Sequence, residues 1–128
     1  PMDGVDFEYH IFVSATGLDW SKEEWERAAD RVFNLERAIQ IRNHHRTRDD
    51  DESVIPAFEY PESWVNPLLG EKQGLDPARF RKLLTEYYEL RGWDPATGHP
   101  TRARLESVGL ADVANALEAV APKLGDRV

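Results

Sequence analysis

Ser21 and Glu24 commit the middle of the chain to a long helix. A serine at the N-cap accepts the orphan backbone N–H three residues on, and a glutamate at that third position reaches back to the serine's own N–H. Behind the pair, Trp25, Ala28, Ala29, Val32, Phe33, Leu35, Ala38 and Ile39 recur at the three- and four-residue spacing of one broad helix face. Glu23, Glu26, Arg27, Asp30 and Arg37 fall mostly on the other side. The pattern predicts a helix from Ser21 to about Asn43 with its apolar stripe turned to a core.

The rest of the chain reads as shorter helices around this one. Phe7, Ile11, Phe12 and Ala15 give one apolar side, and Gly17 stops it. Asp76-Pro77 is an N-cap with proline in the first turn, after which Phe80, Leu83, Leu84, Tyr87 and Tyr88 recur until Gly92. Beyond a turn through Asp94, Pro95 and Gly98, Thr101 caps a short helix ending at Gly109. Ala111 to Leu124 supplies a last helix with Val113, Leu117 and Val120 inward. Between the second and third helices, His44 to Pro67 carries Pro56, Pro61 and Pro67 interleaved with Phe58, Tyr60, Trp64 and Val65. Proline lacks the N–H that a helix interior needs, and the aromatics imply an ordered strap packed onto the body. The expectation is an all-α fold: a single compact domain over residues 1–128, about five helices, and a long proline- and aromatic-rich ordered loop between the second and third.

Composition narrows function mostly by exclusion. With 41% hydrophobic and 31% charged residues the chain is in the globular range, not the disordered one. A net charge of -8 argues against nucleic acid, whose binding draws on clustered Lys and Arg. No apolar run is long enough to span a bilayer and no signal-peptide pattern opens the chain, so a cytoplasmic location is expected. The chain has no cysteine, which removes disulfides, thiolate catalysis, cysteine-ligated zinc and iron–sulfur ligation from its own residues.

Individual clusters offer little independent chemistry. His44 and His45 suggest a metal pair, but neighbouring helical side chains diverge by about 100°, and no third ligand stands at suitable spacing. Capping the helix C-terminus or lining a surface groove is the simpler role. Asp49, Asp50, Asp51 and Glu52 lack the alternate spacing, glycine and distal acid of a calcium loop, which leaves solvated charge or pairing with Arg42, Arg46 and Arg48. The 24 acidic residues single out no catalytic pair, no glycine-rich phosphate loop is present, and the serines sit at caps or in ordinary loops. Tyr87, Tyr88, Trp93 and Trp64 fit a core or interface better than a binding face. No catalytic, cofactor-binding or metal-ligating residue is assigned.

Two stretches carry a resemblance that goes further. Arg31-Val-Phe-Asn-Leu-Glu-Arg-Ala-Ile-Gln-Ile-Arg42 followed by Thr47-Arg-Asp-Asp-Asp51 resembles the helix and following loop in the C-terminal segment of the aldehyde ferredoxin oxidoreductase family. Tyr87-Tyr-Glu-Leu-Arg-Gly-Trp-Asp94 and Pro100-Thr-Arg-Ala-Arg-Leu-Glu-Ser-Val-Gly-Leu110 are similar to that family's closing helix, turn and final short helix, and the turn Ala15-Thr-Gly-Leu-Asp19 also fits. Together they cover most of the chain in order.

The resemblance implies a parent enzyme with a bis-pterin tungsten or molybdenum centre and a nearby four-iron, four-sulfur cluster, one that oxidises aldehydes to carboxylic acids. Some relatives act on aromatic thioesters. It further implies a ferredoxin-like electron acceptor, and as partners the remaining domains or a large subunit of the parent. In the family the last cluster cysteine and a pterin loop lie just before the segment matched here, so the cofactor ligands are expected in the missing part and the isolated chain is expected to be inactive. Where relatives carry Arg-Glu-Gly-Phe, this chain has Arg42-Asn43-His44-His45 with Arg46 inserted, and its strap from Ser53 to Gly74 is longer. Arg42, Asn43, His44 and His45 are therefore the candidates for lining a substrate channel, with the two histidines as donors to a carbonyl or carboxylate. Two rival readings are a free-standing helical interaction module without catalytic activity, and a metal-dependent hydrolase built on the histidines and acids. A broad exposed apolar face favours the oxidoreductase part over the module.

Overall fold

The computed structural model describes residues 6–53, 65–71 and 76–120, and these are α-helical apart from turns and an isolated bridge between Trp93 and Pro100. Among the described residues six helices follow in order: α1 Phe7–Thr16, α2 Lys22–His44, α3 Arg48–Ser53, α4 Pro77–Arg91, α5 Arg102–Ser107 and α6 Ala111–Glu118. The all-α expectation holds, with one helix more than the sequence suggested.

The caps fall where the residue types place them. Ser21 Oγ accepts from the Glu24 N–H at 3.2 Å and the Ser21 N–H donates to Glu24 Oε2 at 2.7 Å, closing the capping box that starts α2. Asp76 Oδ1 accepts from the Ala78 N–H at 2.9 Å at the head of α4. At its foot Gly92 takes φ 69°, so that Trp93 N–H reaches Tyr88 O at 2.8 Å. Thr101 Oγ1 accepts from the Arg104 N–H at 3.2 Å and starts α5.

Two expectations need correction. The first concerns α3, which occupies part of the segment read as non-helical. Thr47 N–H and Oγ1 both donate to Asp50 Oδ2, at 2.7 and 3.0 Å, and three aspartates in the first turn face the positive end of the helix dipole. The acidic run is thus a helix start. The strap aromatics Phe58, Tyr60 and Trp64 lie outside the described residues. In the described part of the strap, Val65, Leu68 and Leu69 are exposed around a turn closed by Gly70 N–H to Asn66 O at 2.8 Å.

The second correction concerns which face of α2 is buried. The inward residues are Asn34, Arg37, Ala38 and Ile41, whereas Val32 is 56% and Ile39 47% exposed. The helix has rolled away from its most apolar stripe because the chain from Trp93 to Gly98 offers Asn34 and Arg37 hydrogen-bond partners. A satisfied polar group can be buried there at little cost. Arg37, placed by the sequence among the outward charges, is buried.

The apolar core is small and sits beside α2. Leu105, Val108, Leu110 and Ala114 form it, with Leu35, Val113 and Leu117 packed against its edge. Val113 and Leu117 thus face inward as expected. The last helix ends at Glu118, short of the Leu124 that periodicity suggested, with Ala119 and Val120 in a turn and residues 121–128 outside the described set. In α1 the apolar side remains largely uncovered: Phe7 and Ile11 are exposed, while Tyr9 anchors the helix by donating from its hydroxyl to Trp20 O at 2.7 Å.

Candidate functional site

Side chains from α2, from the corner after it and from α4 meet at the carboxylate of Asp51 on α3. Arg37 on α2 holds it with both terminal nitrogens, Nη1 to Oδ1 at 3.0 Å and Nη2 to Oδ2 at 2.6 Å, and its Nε donates to Gly98 O at 2.9 Å. Arg46, from the corner between α2 and α3, adds Nε to Oδ1 at 2.7 Å. The Tyr88 hydroxyl, from α4, donates to Oδ2. Every lone-pair direction of the carboxylate is occupied, which is the condition for burying a charge.

These contacts fix the charge states. Burial alone raises the Asp51 carboxyl, but the hydrogen bonds from Arg37, Tyr88 and Arg46 outweigh it and hold the group below its usual 3.8. Burial, and then the bond to Asp51, pushes the Tyr88 hydroxyl far above its usual 10.0, so it remains a donor. Burial pulls His99 below 6.5 with help from the Arg37 charge, against the opposing hydrogen bond to the Arg46 backbone.

Around this centre stands a shell of rings and further ion pairs. Trp93 donates from Nε1 to Asn34 Oδ1 at 2.8 Å, stacks on Phe33 at 5.8 Å, and lies under the Arg37 guanidinium at 5.1 Å. Tyr87 meets Trp93 edge-on at 5.9 Å. Next to Asp51, Glu52 bridges Arg48 and Arg81, each at 2.9 Å, and Arg48 donates on to Pro95 O at 2.6 Å. On the other side of α2, Asp30 receives Arg104 at 2.7 Å and Arg91 at 3.3 Å. Asp51 does pair with Arg46, as the sequence allowed; Glu52 pairs with Arg48, and Arg42 takes no part. Tyr88 and Trp93 are core residues, in line with the simpler reading of the aromatics, and Trp64 lies outside the described residues.

Of the channel candidates, Arg42, Asn43 and His44 are exposed at the C-terminal end of α2. His45 is half-buried and forms the C-cap in the left-handed region, φ 54°, with its N–H on Ile41 O at 2.9 Å. The Nδ1 atom of His45 is buried without a hydrogen-bond partner. His44 lines a polar cleft of about 360 Å³ together with Gln40, Arg46 and Asp50. The structure therefore brings His44 together with Arg46 and Asp50; it does not bring Arg42 or Asn43 into that cleft.

Nothing in this set suits the metal–pterin centre or iron–sulfur cluster that the resemblance implies. The chain has no cysteine, and among the described residues no three His, Asp or Glu side chains converge as ligands. The buried carboxylate is already neutralised by arginine. The residues present do not fit such a group.

Sequence missed the two residues on which the centre depends, Arg37 and Tyr88. One signal was available: Arg37 breaks the polar face of α2 at the position, three residues after Asn34, where two hydrogen-bonding side chains share one side of a helix.

A family model described as aldehyde ferredoxin oxidoreductase, domains 2 & 3, matches residues 3–110. The chain belongs to that family. Two curated relatives, the tungsten-containing aldehyde ferredoxin oxidoreductases of Pyrococcus furiosus and Thermococcus kodakarensis, are each 27% identical to it over 109 residues. The match covers 85% of this chain but 17% of either relative, so the chain spans only a small part of their length. No solved structure matches it. The two stretches that resemble the aldehyde ferredoxin oxidoreductase family include Arg37 on α2, Asp51 on α3 and Tyr88 on α4, which meet at the Asp51 carboxylate, and the Asn34–Trp93 pair beside them. In this chain those motif residues lock α2, α3 and α4 together.

Proposed function

We propose that this chain is the C-terminal domain of a tungsten- or molybdenum-pterin, iron–sulfur oxidoreductase that oxidises aldehydes, or related oxo or acyl substrates, and passes electrons to a ferredoxin-like acceptor. Residues 1–128 form one helical domain that packs beside the cofactors. The remaining domains, or a large subunit, hold the metal, the pterins and the four-iron, four-sulfur cluster, and the isolated chain is catalytically silent.

The observation that carries this reading is exposed apolar surface on α2 and α4, the two longest of the described helices. Val32 and Ile39 stand seven residues apart on α2, and Leu83 and Leu90 likewise on α4, with Leu90 84% exposed. Leucines at that spacing form one stripe of a helix, and a domain that acts alone keeps such stripes polar. This argues for a partner surface and against a free-standing module.

At the exposed end of α2, Arg42, Asn43, His44 and His45 would wall the substrate channel, with the histidines donating to a carbonyl or carboxylate. The test is retention of the tagged chain's partner from native extract, followed by metal and iron analysis. A large subunit carrying tungsten or molybdenum with iron is expected. Recovery of the bare chain, with no partner and no metal, would overturn the docking role. Replacing His44 and His45 by alanine in the intact enzyme should then alter KM or kcat for at least one substrate, and unchanged kinetics throughout would remove the histidines from the channel wall.

A further inference from the structure

The turn after α4 is tied to the corner between α2 and α3 through the ring of His99. That ring hydrogen-bonds the Arg46 backbone, while its Nε2 atom is buried without a hydrogen-bond partner. The bond therefore runs from Nδ1, and because it favours the proton-bearing ring, its acceptor is the Arg46 carbonyl. In the neutral ring Nδ1 carries the proton and Nε2 is a bare acceptor facing the interior.

The surroundings suit only that neutral form. Gly98, the residue before His99, gives its carbonyl to Arg37 Nε at 2.9 Å, and there is no room beside it: a Cβ there would stand 2.6 Å from Arg37 Nη2. The charge of Arg37, from α2, opposes a second cation at His99. Arg48, from α3, reaches the same turn at Pro95 O, and Arg46 and His45 belong to the corner itself. From α4 comes the neutral Tyr88 hydroxyl, already given to Asp51. Two acids face the ring, Asp51 from α3 and Asp94 from its own turn. Asp51 is saturated by Arg37, Arg46 and Tyr88, and Asp94 accepts from the Ala96 N–H and the Thr97 hydroxyl. Neither reaches Nε2. A proton there is a buried donor without an acceptor, on a cation near a guanidinium.

We propose that His99 is an acid-released latch: neutral, its ring holds the Arg46 carbonyl to the turn after α4, and protonated, it turns out to water and frees the α2–α3 corner. That corner contains the left-handed His45 cap of α2 and the Thr47–Asp50 start of α3. A ring in water takes its proton near the ordinary 6.5, whereas the buried ring takes it lower. The latch is therefore complete above about pH 6.5 and weakens as pH falls from there through the lower value. Asp50, which holds the Thr47 N–H, is kept below its usual 3.8 by that bond and stays charged across this range. The latch uses residues of this chain alone and does not depend on a channel role for His44 or His45.

The experiment is amide exchange and histidine-ring NMR on the 128-residue chain between pH 7.5 and pH 5. Protection of the His45 and Thr47 amides, corrected for the intrinsic pH dependence of exchange, should fall at least about threefold toward pH 5. The Leu105 and Ala114 amides, bonded within the core at Thr101 O and Leu110 O, should keep theirs. His99→Gln retains a side-chain N–H but does not titrate, and should remove the pH dependence at His45 and Thr47. At pH 7.5 the unmutated ring of His99 should carry its proton on Nδ1 and none on Nε2, a readout that needs no variant. A proton on Nε2 would overturn the proposal. So would constant protection at the corner, a change that persists in His99→Gln, or a loss shared equally by Leu105 and Ala114.

Discussion

Replacing Asp51 by asparagine tests whether the buried charge centre holds α2, α3 and α4 together. The change keeps the shape and one acceptor oxygen, but it removes the charge that Arg37 was buried against and turns an NH2 toward a guanidinium. Arg37 is 6% exposed, so water does not replace the lost partner, whereas Arg46 at 32% can be rehydrated. The Arg46 pair is therefore worth no more than about 1 kcal/mol. Stranding Arg37 costs about 3–5 kcal/mol, the magnitude for removing one partner of a buried ion pair. That is a large part of the roughly 5–15 kcal/mol that stabilises a domain. With a urea dependence of about 1.5 kcal/mol per molar, the unfolding midpoint should fall by about 2 M or more. Circular dichroism at 222 nm against urea reads this directly. Asp49→Asn, on the exposed side of the same helix turn, is the control and should lower the midpoint far less, by about 0.2–0.7 M, since one exposed charge at a helix N-terminus is worth about 0.3–1 kcal/mol. Replacing Arg37 and Asp51 together by leucine should cost less than either single change, because no charge is left alone. A midpoint for Asp51→Asn within about 0.5 M of the parent would show that the centre contributes no more than a surface pair, and the reasoning would fail.

Gly98→Ala should destabilise by about 1–3 kcal/mol, since the residue holds φ 72° and a Cβ would stand 2.6 Å from Arg37 Nη2 and 3.0 Å from the Tyr88 ring. Gly70→Ala has the same backbone conformation with nothing within 4 Å, so thermal unfolding should separate the clash from the backbone cost of about 1–2 kcal/mol alone. For pH, His99 is depressed in the folded state, so the unfolded chain takes up its proton first. The His99 contribution is complete above about pH 6.5 and is lost as pH falls through the lower folded value. Asp51 is also depressed, and its contribution is complete above 3.8 and lost below that. Urea midpoints measured from pH 8 to pH 3 should fall in two stages, and His99→Gln should remove the first. A flat profile between pH 7 and pH 5 in the parent would contradict the burial assigned to His99.

The sequence by itself settled what depends on neighbours along the chain. Capping is local: Ser21 with Glu24, Asp76 with Pro77, and Thr101 each satisfy an N–H two or three residues away, so helix starts were legible without knowing what the helix would touch. The glycines at 17 and 92 were legible as stops for the same reason. Even α3 had its local signal, Thr47 followed by Asp50, although charge and nearby prolines drew attention away from it. The resemblance of the Asn34–Arg37 and Thr47–Asp51 stretches to one family was also legible, and the match over residues 3–110 bears it out.

What only the tertiary structure decided was which way α2 faces. Periodicity sums apolar residues and would turn Val32 and Ile39 inward. The folded chain instead buries Asn34 and Arg37, because Trp93 Nε1, Gly98 O and the Asp51 carboxylate arrive from 14 to 61 residues away to satisfy them. A buried arginine is prohibitive alone and tolerable when every donor is met, so its side of the helix follows from partners that no local window contains. The same roll leaves Val32 and Ile39 in solvent. That exposure carries the proposal of a partner surface.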